Sequence, residues 1–237
     1  MTLPESIEVF VDGFTASKSQ THPYVCDRVD GLWIMHDAPG RKDARKTEIV
    51  TCCKEPVEAA KAIKRTGVGW HFLCHLHESQ SEFEAIREAY KGLGYKAIST
   101  EWMFWHDLRQ VPLFETEPPA RLVPNQAEAD SIPQLGSRKV KLLKGARQFG
   151  VWDEKRDYGW ARSQDTGGAS WISSLYVRED VRRRGYGRAL MSTVLQSDRE
   201  IGLHASVLLA STAGSMLYPV LGFQQLGILQ MFCPAKR

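Results

Sequence analysis

A basic turn with two glycines, residues 182–188, has the residue types best suited to chemistry in this sequence. The turn reads Arg182-Arg183-Arg184-Gly185-Tyr186-Gly187-Arg188 and lies between a strand-like segment, 171–177, and an amphipathic helical segment, 187–196. Backbone N–H groups at a helix start are unpaired and lie at the positive end of the helix dipole. Glycine lets an anion approach that backbone, and arginine donates paired hydrogen bonds to phosphate oxygens. The turn therefore predicts a phosphate site, although two glycines alone would also suit an ordinary helix start after solvated basic residues.

The second half of the chain alternates strand-like and helical patterns around this turn. Apolar and β-branched runs predict strands at residues 121–123, 148–152, 158–162, 171–177, 204–210 and 223–232. Helical spacing predicts helices at residues 125–135, 187–196 and 211–221. Asn125 and Ser211 are the predicted caps, and Gly222 is a stop signal. The basic turn thus follows the fourth strand of this half.

The first half has a weaker pattern of the same kind. Strands are predicted at residues 31–37, 48–52, 70–76 and 96–106, and helices at residues 56–64 and 82–92. Prolines at positions 112, 118, 119 and 124 interrupt the pattern, because proline removes a backbone donor and fixes φ. We therefore predict a first domain at residues 1–111, a linker at residues 112–118 and a second domain at residues 119–237.

A short repeat relates the two halves. Tyr90-x-x-Leu-Gly-Tyr95 matches Tyr218-x-x-Leu-Gly-Phe223, and the shift that takes Tyr90 to Tyr218 also places Met103 on Met231. A helix stopped by glycine before a strand is also common without any duplication. We predict a duplication in which the first half, having no arginine–glycine turn, lacks the phosphate site.

Two motifs in this order make the sequence similar to the GNAT superfamily of acetyl-CoA-dependent N-acetyltransferases. The family's cofactor motif, Arg/Gln-x-x-Gly-x-Gly/Ala, is matched by Arg182, Gly185 and Gly187. Its later motif, Leu-Tyr-x-x-Leu-Gly-Phe, is matched by residues 217–223. The resemblance covers residues 119–237 and reaches the first half only through the repeat. It implies an α/β (α+β) fold with a GNAT-type mixed, twisted sheet flanked by helices, and a smaller degenerate GNAT-like first half on the acceptor side.

The resemblance also implies roles by position. Backbone groups of Leu175, Tyr176 and Val177 would contact the pantetheine arm of acetyl-CoA, and the turn at residues 182–188 would hold the pyrophosphate. Tyr218 would donate a proton to the departing CoA thiolate, and a packed tyrosine with a solvated hydroxyl is the alternative. Ser211 stands where many family members have an asparagine that contacts the cofactor arm, and serine can still form a hydrogen bond there.

The resemblance implies an N-acetyltransferase that moves an acetyl group from acetyl-CoA directly to a primary amine of a small molecule or peptide. The predicted strand at residues 171–175 has no Asp or Glu, so the sequence assigns no general base. For that reason a non-catalytic module that binds acyl-CoA and regulates a partner remains the alternative. The acceptor, the role of the first half and the oligomeric state, a homodimer included, stay open.

Composition argues against several other classes of protein. The net charge of +3 is too small to predict nucleic-acid binding. No apolar run approaches the ~20 residues of a membrane span, and the first residues lack a signal-peptide pattern, so we expect a cytoplasmic protein. The five cysteines have no metal-ligand spacing. Histidines 71, 75 and 77 share one strand face, but without a nearby carboxylate they predict a polar face lining a cleft or meeting solvent, and no metal site.

Overall fold

The computed structural model describes residues 1–133 and 142–235. The strands are β1 (Tyr24–Val29), β2 (Leu32–Asp37), β3 (Thr47–Cys52), β4 (His71–His77), β5 (Tyr95–Asp107), β6 (Ala120–Val123), β7 (Ala146–Trp152), β8 (Asp157–Asp165), β9 (Ala169–Val177), β10 (Ala205–Ser211) and β11 (Gln224–Pro234). The helices are α1 (Leu3–Lys18), α2 (Pro56–Thr66), α3 (Phe83–Gly92), α4 (Gln126–Ser131), α5 (Tyr186–Glu200) and α6 (Thr212–Ser215). Short 3₁₀ turns lie at Gln80–Glu82, Glu179–Val181 and Pro219–Leu221.

All these strands join one sheet, in the order β1-β2-β3-β4-β11-β5-β10-β9-β8-β7-β6. Neighbouring strands are antiparallel, except that β3 is parallel to β4 and β9 is parallel to β10. The predicted mixed sheet flanked by helices is therefore confirmed. None of the helices in the described part of the chain has the length and apolar character needed to span a bilayer.

The two halves repeat the same order of elements. In the first half β1, β2, β3, α2, β4, α3 and β5 follow one another, and β7, β8, β9, α5, β10, α6 and β11 follow in the second. The shift that takes Tyr90 to Tyr218 also moves β5 onto residues 223–235, which nearly coincide with β11. The short sequence repeat thus corresponds to a repeat of the fold.

Each half gives its last strand to the other half. β5 pairs with β10 along the whole of β10, and β11 pairs with β4. β5 and β11 also pair with each other and form the seam of the sheet. Because the halves share strands, neither half could complete its sheet without the other. The boundaries 1–111, 112–118 and 119–237 stay a prediction about domain organisation.

Apolar clusters on both faces of the sheet hold the helices in place. On one face α5 places Leu190 and Val194 against Phe149 of β7 and Leu208 of β10. On the same face, α2 and α3 pack on the first half, where the buried cluster includes Leu73 of β4. The opposite face carries α1.

The sheet curls around α1. The ring of Phe10 lies 4.9 Å from that of Trp171 in β9, and the ring of Phe14 lies 6.4 Å from that of Tyr24 in β1. In a flat sheet β1 and β9, which are seven positions apart, would be separated by roughly 34 Å. A helix of 16 residues is only about 24 Å long. The curvature therefore brings the first half against the second on the α1 face.

The structure contains two elements, α1 and β1, that the sequence patterns did not predict. The signal for α1 was present as a capping box, in which the Thr2 N–H donates to Glu5 Oε2 at 2.7 Å and the Glu5 N–H donates to Thr2 Oγ1 at 3.4 Å. β1 is an edge strand whose residues are mostly exposed, so it carries no clear apolar alternation.

Two predicted helices differ from those observed. The expected helix at residues 211–221 is interrupted, because α6 ends at Ser215 and the next turn, beginning at Pro219, is 3₁₀. Ser211 occupies the N-cap position of α6, but its side chain makes no capping hydrogen bond, so that prediction was wrong. Asn125 does cap α4, accepting from the Glu128 N–H at 2.9 Å. α4 ends at Ser131 rather than at 135, and residues 134 and 135 lie outside the described residues.

Candidate active site

A gap opens in the sheet between β9 and β10. The two strands pair at only three positions, the last of which joins Trp171 to Val207. Beyond this pair β9 continues with β8 as its partner and β10 continues with β5. The backbone groups that face the gap are thus free to bind an extended ligand. Leu175, Tyr176 and Val177 all lie on this free stretch of β9.

A β-bulge marks the start of the gap. The register between β8 and β9 shifts between Arg162 and Ser163, so Ser173 is the extra residue of β9. Ser173 Oγ is buried and has no hydrogen-bond partner among the described residues. A buried hydroxyl without a partner indicates room for a ligand atom or an ordered water.

The basic glycine turn lies at the carboxyl end of β9, at the mouth of the gap. Arg183 and Gly185 both have left-handed backbone, with φ of 65° and 92°. Left-handed residues in such turns gather successive N–H groups into an anion-binding concavity. The first hydrogen bond of α5 runs from the Ala189 N–H to the Gly185 oxygen at 3.0 Å. The amides of residues 186–188 come before this hydrogen bond, so they have no partner within the helix and lie at the positive end of the α5 dipole.

Gly187 keeps the mouth of the gap open. A Cβ at this position would lie 3.5 Å from Leu217 Cδ2 and 3.7 Å from Val177 Cγ2. A methyl group would therefore fit, but a longer side chain would enter the space between α5, β9 and the α6 segment. The predicted glycine thus lies between the start of α5, the end of β9 and Leu217.

The arginines of the turn have different surroundings. Arg182 Nε donates to the Val177 oxygen at 3.2 Å, so Arg182 closes the turn onto the end of β9. Arg183, Arg184 and Arg188 are exposed, and none of the three pairs with a carboxylate in the described part of the chain. These three side chains are available to a phosphate.

Tyr186 contributes only its backbone to the mouth of the gap. Its side chain is buried, its hydroxyl donates to the Glu117 oxygen at 3.2 Å, and its ring lies 5.0 Å from that of Tyr158. A contact of Tyr186 with a phosphate therefore has to be made by its N–H group.

Tyr218 lies on the α5 face between two phenylalanines. Its ring centroid is 5.5 Å from that of Phe104 and 5.4 Å from that of Phe223. Burial raises the pKa of Tyr218 to about 12, so the phenol stays protonated at neutral pH and can act as a proton donor. A Cβ on Gly214 would lie 3.8 Å from Tyr218 Cε2 and 3.6 Å from Ser211 Oγ, which places both side chains around α6.

Glu101, from the first half, lies one strand away from the gap, on the exchanged strand β5. It is in register with Ser211 at the end of β10. Its register partner on β11, Leu229, and its neighbour Met103 both belong to the α1-face cluster, so Glu101 projects to that face. Burial raises the pKa of the Glu101 carboxyl, and no cation pairs with it in the portion that the structure describes. The carboxylate missing from β9 thus has a candidate on β5.

Sequence patterns gave little signal for Glu101. It stands in the first half, far from Ser211 along the chain, and only the strand exchange brings the two positions together. A lone acid inside an otherwise apolar and aromatic segment was the available hint.

The three histidines of β4 do not form a solvated face. They are buried, and their Nδ1 atoms lie 2.7 Å from the Gly69 oxygen (His71), 2.9 Å from the Tyr90 hydroxyl (His75) and 2.9 Å from the Ser79 oxygen (His77). His75 and His77 line a cavity of about 520 Å³ beside α3. Within residues 1–133 and 142–235, no group of three or more His, Cys, Asp or Glu side chains is arranged to hold a metal ion.

The residues around the gap fit an acyl-CoA molecule. A free strand edge suits the amides of a pantetheine arm, and the unpaired amides and exposed arginines of the turn suit a pyrophosphate. Gly187 at the mouth and the unpartnered hydroxyl of Ser173 leave room for the ligand beside the strand edge and the turn.

Comparison with known proteins agrees with this geometry. The model of the family described as "Acetyltransferase (GNAT) domain" matches residues 144–225, which include the gap, the turn and Tyr218. No curated protein is a significant match to the sequence.

Solved structures of acetyltransferases have the same fold. A GCN5-related N-acetyltransferase from Kribbella flavida is similar over 100% of this chain and 97% of its own, with a TM-score of 0.68 and 12% identity. A putative GNAT-family acetyltransferase from Novosphingobium aromaticivorans is similar over 97% of each chain, with a TM-score of 0.54 and 12% identity. A GCN5-related N-acetyltransferase from Sphaerobacter thermophilus covers 86% of this chain and 80% of its own, with a TM-score of 0.51 and 18% identity. Residues 144–225 therefore match a GNAT acetyltransferase domain, and the chain as a whole has the fold of these acetyltransferase structures.

Proposed function

We propose that the protein is an N-acetyltransferase that moves an acetyl group from acetyl-CoA to a primary amine. The observation that carries the proposal is the coincidence of the β9–β10 gap with the basic glycine turn at its mouth. Either feature alone has an ordinary structural explanation. Together they provide a free strand edge with an anion site at its end, which suits one extended ligand with a phosphate group.

Three parts of the chain would hold acetyl-CoA, which supplies the acetyl group as a thioester. The backbone of Leu175, Tyr176 and Val177 would bind the pantetheine arm. The turn at residues 182–188 would bind the pyrophosphate through its N–H groups and through its exposed arginines. Ser211 Oγ, at the end of β10, would form a further hydrogen bond with the arm.

Two side chains would handle the protons. Glu101 would accept the proton of the ammonium group, directly or through a water, and its raised pKa makes it a better base than an ordinary carboxylate. Tyr218 Oη would give its proton to the departing thiolate, because a phenol with a pKa of about 12 is fully protonated at neutral pH. The two groups project to opposite faces of the sheet.

The substitution Tyr218→Phe tests the proposal. We expect acetyl-CoA to bind the variant within about twofold of the native affinity by calorimetry, because the ring and its packing remain. Release of free CoA, followed with a thiol reagent over a panel of primary amines, should fall by about 10²-fold or more, the usual contribution of a general acid. Tyr24→Phe, which removes a buried hydroxyl that donates to the Met35 oxygen at 3.1 Å, is the matched control and should keep full turnover.

Two results would contradict the proposal. Absence of acetyl-CoA binding would exclude the assigned cofactor site. Normal acetyl-CoA binding, with no CoA released in the presence of any amine, would instead support a non-catalytic module that binds acyl-CoA and regulates a partner.

A further inference from the structure

Arg162 of β8 lies one strand away from the gap, across β9, on the α1 face of the sheet. It is in register with Ser174 of β9, immediately after the bulge. The next pair along these strands, Ala161 and Leu175, belongs to the cluster that packs beneath α5. Because side chains alternate along a strand, Arg162 and Ser174 project to the other face. An acceptor that enters the gap opposite α5 would meet Arg162.

The charge of Arg162 is not neutralised by the protein. Among the described residues, every other half-buried arginine pairs with an aspartate; the pairs are Arg41 and Arg45 with Asp37, Arg147 with Asp198, Arg156 with Asp180, and Arg178 with Asp157. Arg162 has no such partner in these residues, and burial lowers the pKa of its guanidinium. A half-buried cation without an anion is costly unless a ligand provides the anion.

The guanidinium of Arg162 is held in a fixed orientation. Its Nε donates to Gln148 Oε1 at 3.0 Å, and the Gln148 amide in turn donates to the Ala161 oxygen at 3.0 Å. This second bond fixes which end of the Gln148 amide faces the arginine. The two terminal nitrogens of Arg162 have no acceptor within the described part of the chain, so they form a free pair of parallel donors.

Two aromatic rings line the same surface. Trp160 and Tyr176 are in register on β8 and β9, with ring centroids 6.2 Å apart. Arg162 Cζ lies 5.8 Å from the centre of the Trp160 ring. Tyr176 is 37% exposed although it is aromatic, so the two rings offer an apolar wall next to the cation.

We propose that Arg162 binds a carboxylate of the acceptor, so that the substrate class is amines that carry a carboxylate, such as amino acids. A single cation with two parallel donors matches one carboxylate, whereas a phosphate dianion would leave a charge unpaired. Trp160 and Tyr176 then contact the apolar part of the acceptor. This assignment rests on the proposed acetyl transfer and names the acceptor for it.

Paired substrates test this assignment by kinetics. Amino acids and their carboxamides, for example L-phenylalanine and L-phenylalaninamide, are compared as acceptors by the rate of CoA release. We expect kcat/KM to be higher for the acid, and Arg162→Gln to lower it by about 10- to 100-fold, the usual effect of losing a charge-assisted pair of hydrogen bonds. The carboxamide should change less than about threefold, and acetyl-CoA should bind Arg162→Gln as it binds the native protein. Arg199→Gln, which removes an exposed arginine at the far end of α5, is the control for net charge.

A binding measurement separates this inference from the proposed reaction. N-acetyl-L-phenylalanine and N-acetyl-L-phenylalaninamide are titrated into the complex of the protein with CoA. Tighter binding of the acid in the native protein, lost in Arg162→Gln and partly kept in Arg162→Lys, supports the carboxylate site even if no amine is acetylated. Turnover of amines with no preference for the acid, or equal loss for the acid and the carboxamide in Arg162→Gln, would overturn the carboxylate site and leave acetyl transfer standing.

Discussion

The two halves of the molecule share an element order but differ at the place where the second half opens. β9 and β10 pair at three positions and then separate, whereas β3 and β4 pair at six, along the whole of β3. The Cys53 N–H extends the closed pairing by donating to the Leu76 oxygen at 2.9 Å. The first half therefore has no free strand edge at the position that corresponds to the gap.

The starts of α5 and α2 also differ in their suitability for an anion. α5 follows three arginines and a left-handed glycine, while α2 follows Lys54 and Glu55 and begins with Pro56, which has no N–H to offer. The second residue of the helix is Gly187 in α5 and Val57 in α2. An anion at α2 would find one free amide fewer than at α5, and Lys54 beside Glu55 in place of three arginines. The repeated fold thus keeps its topology, while a few local changes give the second half an open strand edge and a basic helix start.

The largest effect should come from Glu101→Gln. Glu101 and Leu229 correspond to each other in the repeat and are also register partners on β5 and β11. Through the strand exchange the strand next to β10 carries a carboxylate, while the strand next to β4 carries a leucine at the corresponding position. We expect kcat to fall by about 10² to 10⁴, the range of a general base, with acetyl-CoA affinity unchanged in calorimetry.

The pH profile provides the control for Glu101. A base works only when deprotonated, so native kcat/KM should fall as the pH drops through the raised pKa of Glu101, which lies above 4.5. In Glu101→Gln this acid limb should disappear, and the remaining pH dependence of kcat/KM should come only from the ionisation of the amine substrate. A variant that keeps the native rate and the native acid limb would remove Glu101 from the reaction and leave the base unassigned.

A smaller effect is expected when the second half is given the helix start of the first. Gly187→Val copies Val57, and its methyl groups would extend beyond the Cβ position that already lies 3.5 Å from Leu217. Loss of two charge-assisted hydrogen bonds to a phosphate, about 1.5 kcal/mol each, would weaken acetyl-CoA binding by roughly 10²-fold. Gly187→Ala, whose methyl fits, is the control and should stay near the native affinity in calorimetry. If the valine variant also binds normally, the pyrophosphate does not lie at this turn.

The sequence predicted the parts of this site that depend on neighbouring residues. Gly185, Gly187 and the arginines around them lie close together in one turn, and hydrophobic periodicity predicted most strands and helices. The strand exchange could not be predicted that way, because pairing of β5 with β10 and of β11 with β4 leaves no local pattern. Glu101 acquires its significance from that pairing, and Arg162 from the absence of a partner charge among the described residues. Both facts belong to tertiary structure.

The smallest effect is expected for Tyr90→Phe, which distinguishes the two tyrosines of the repeat. The Tyr90 hydroxyl lies 2.9 Å from His75 Nδ1, and burial lowers the pKa of His75 to about 4, so the hydroxyl forms this hydrogen bond with a neutral imidazole at pH 7. Tyr90→Phe should therefore lower the free energy of unfolding by about 1 kcal/mol in urea titrations, while CoA release stays native. Tyr218 makes no hydrogen bond through its hydroxyl within residues 1–133 and 142–235, so Tyr218→Phe should keep the native stability and lose turnover. Were the two variants to behave alike in both measurements, the tyrosine would have one structural role in both halves, and the functional difference between the halves would lie in the gap and the turn alone.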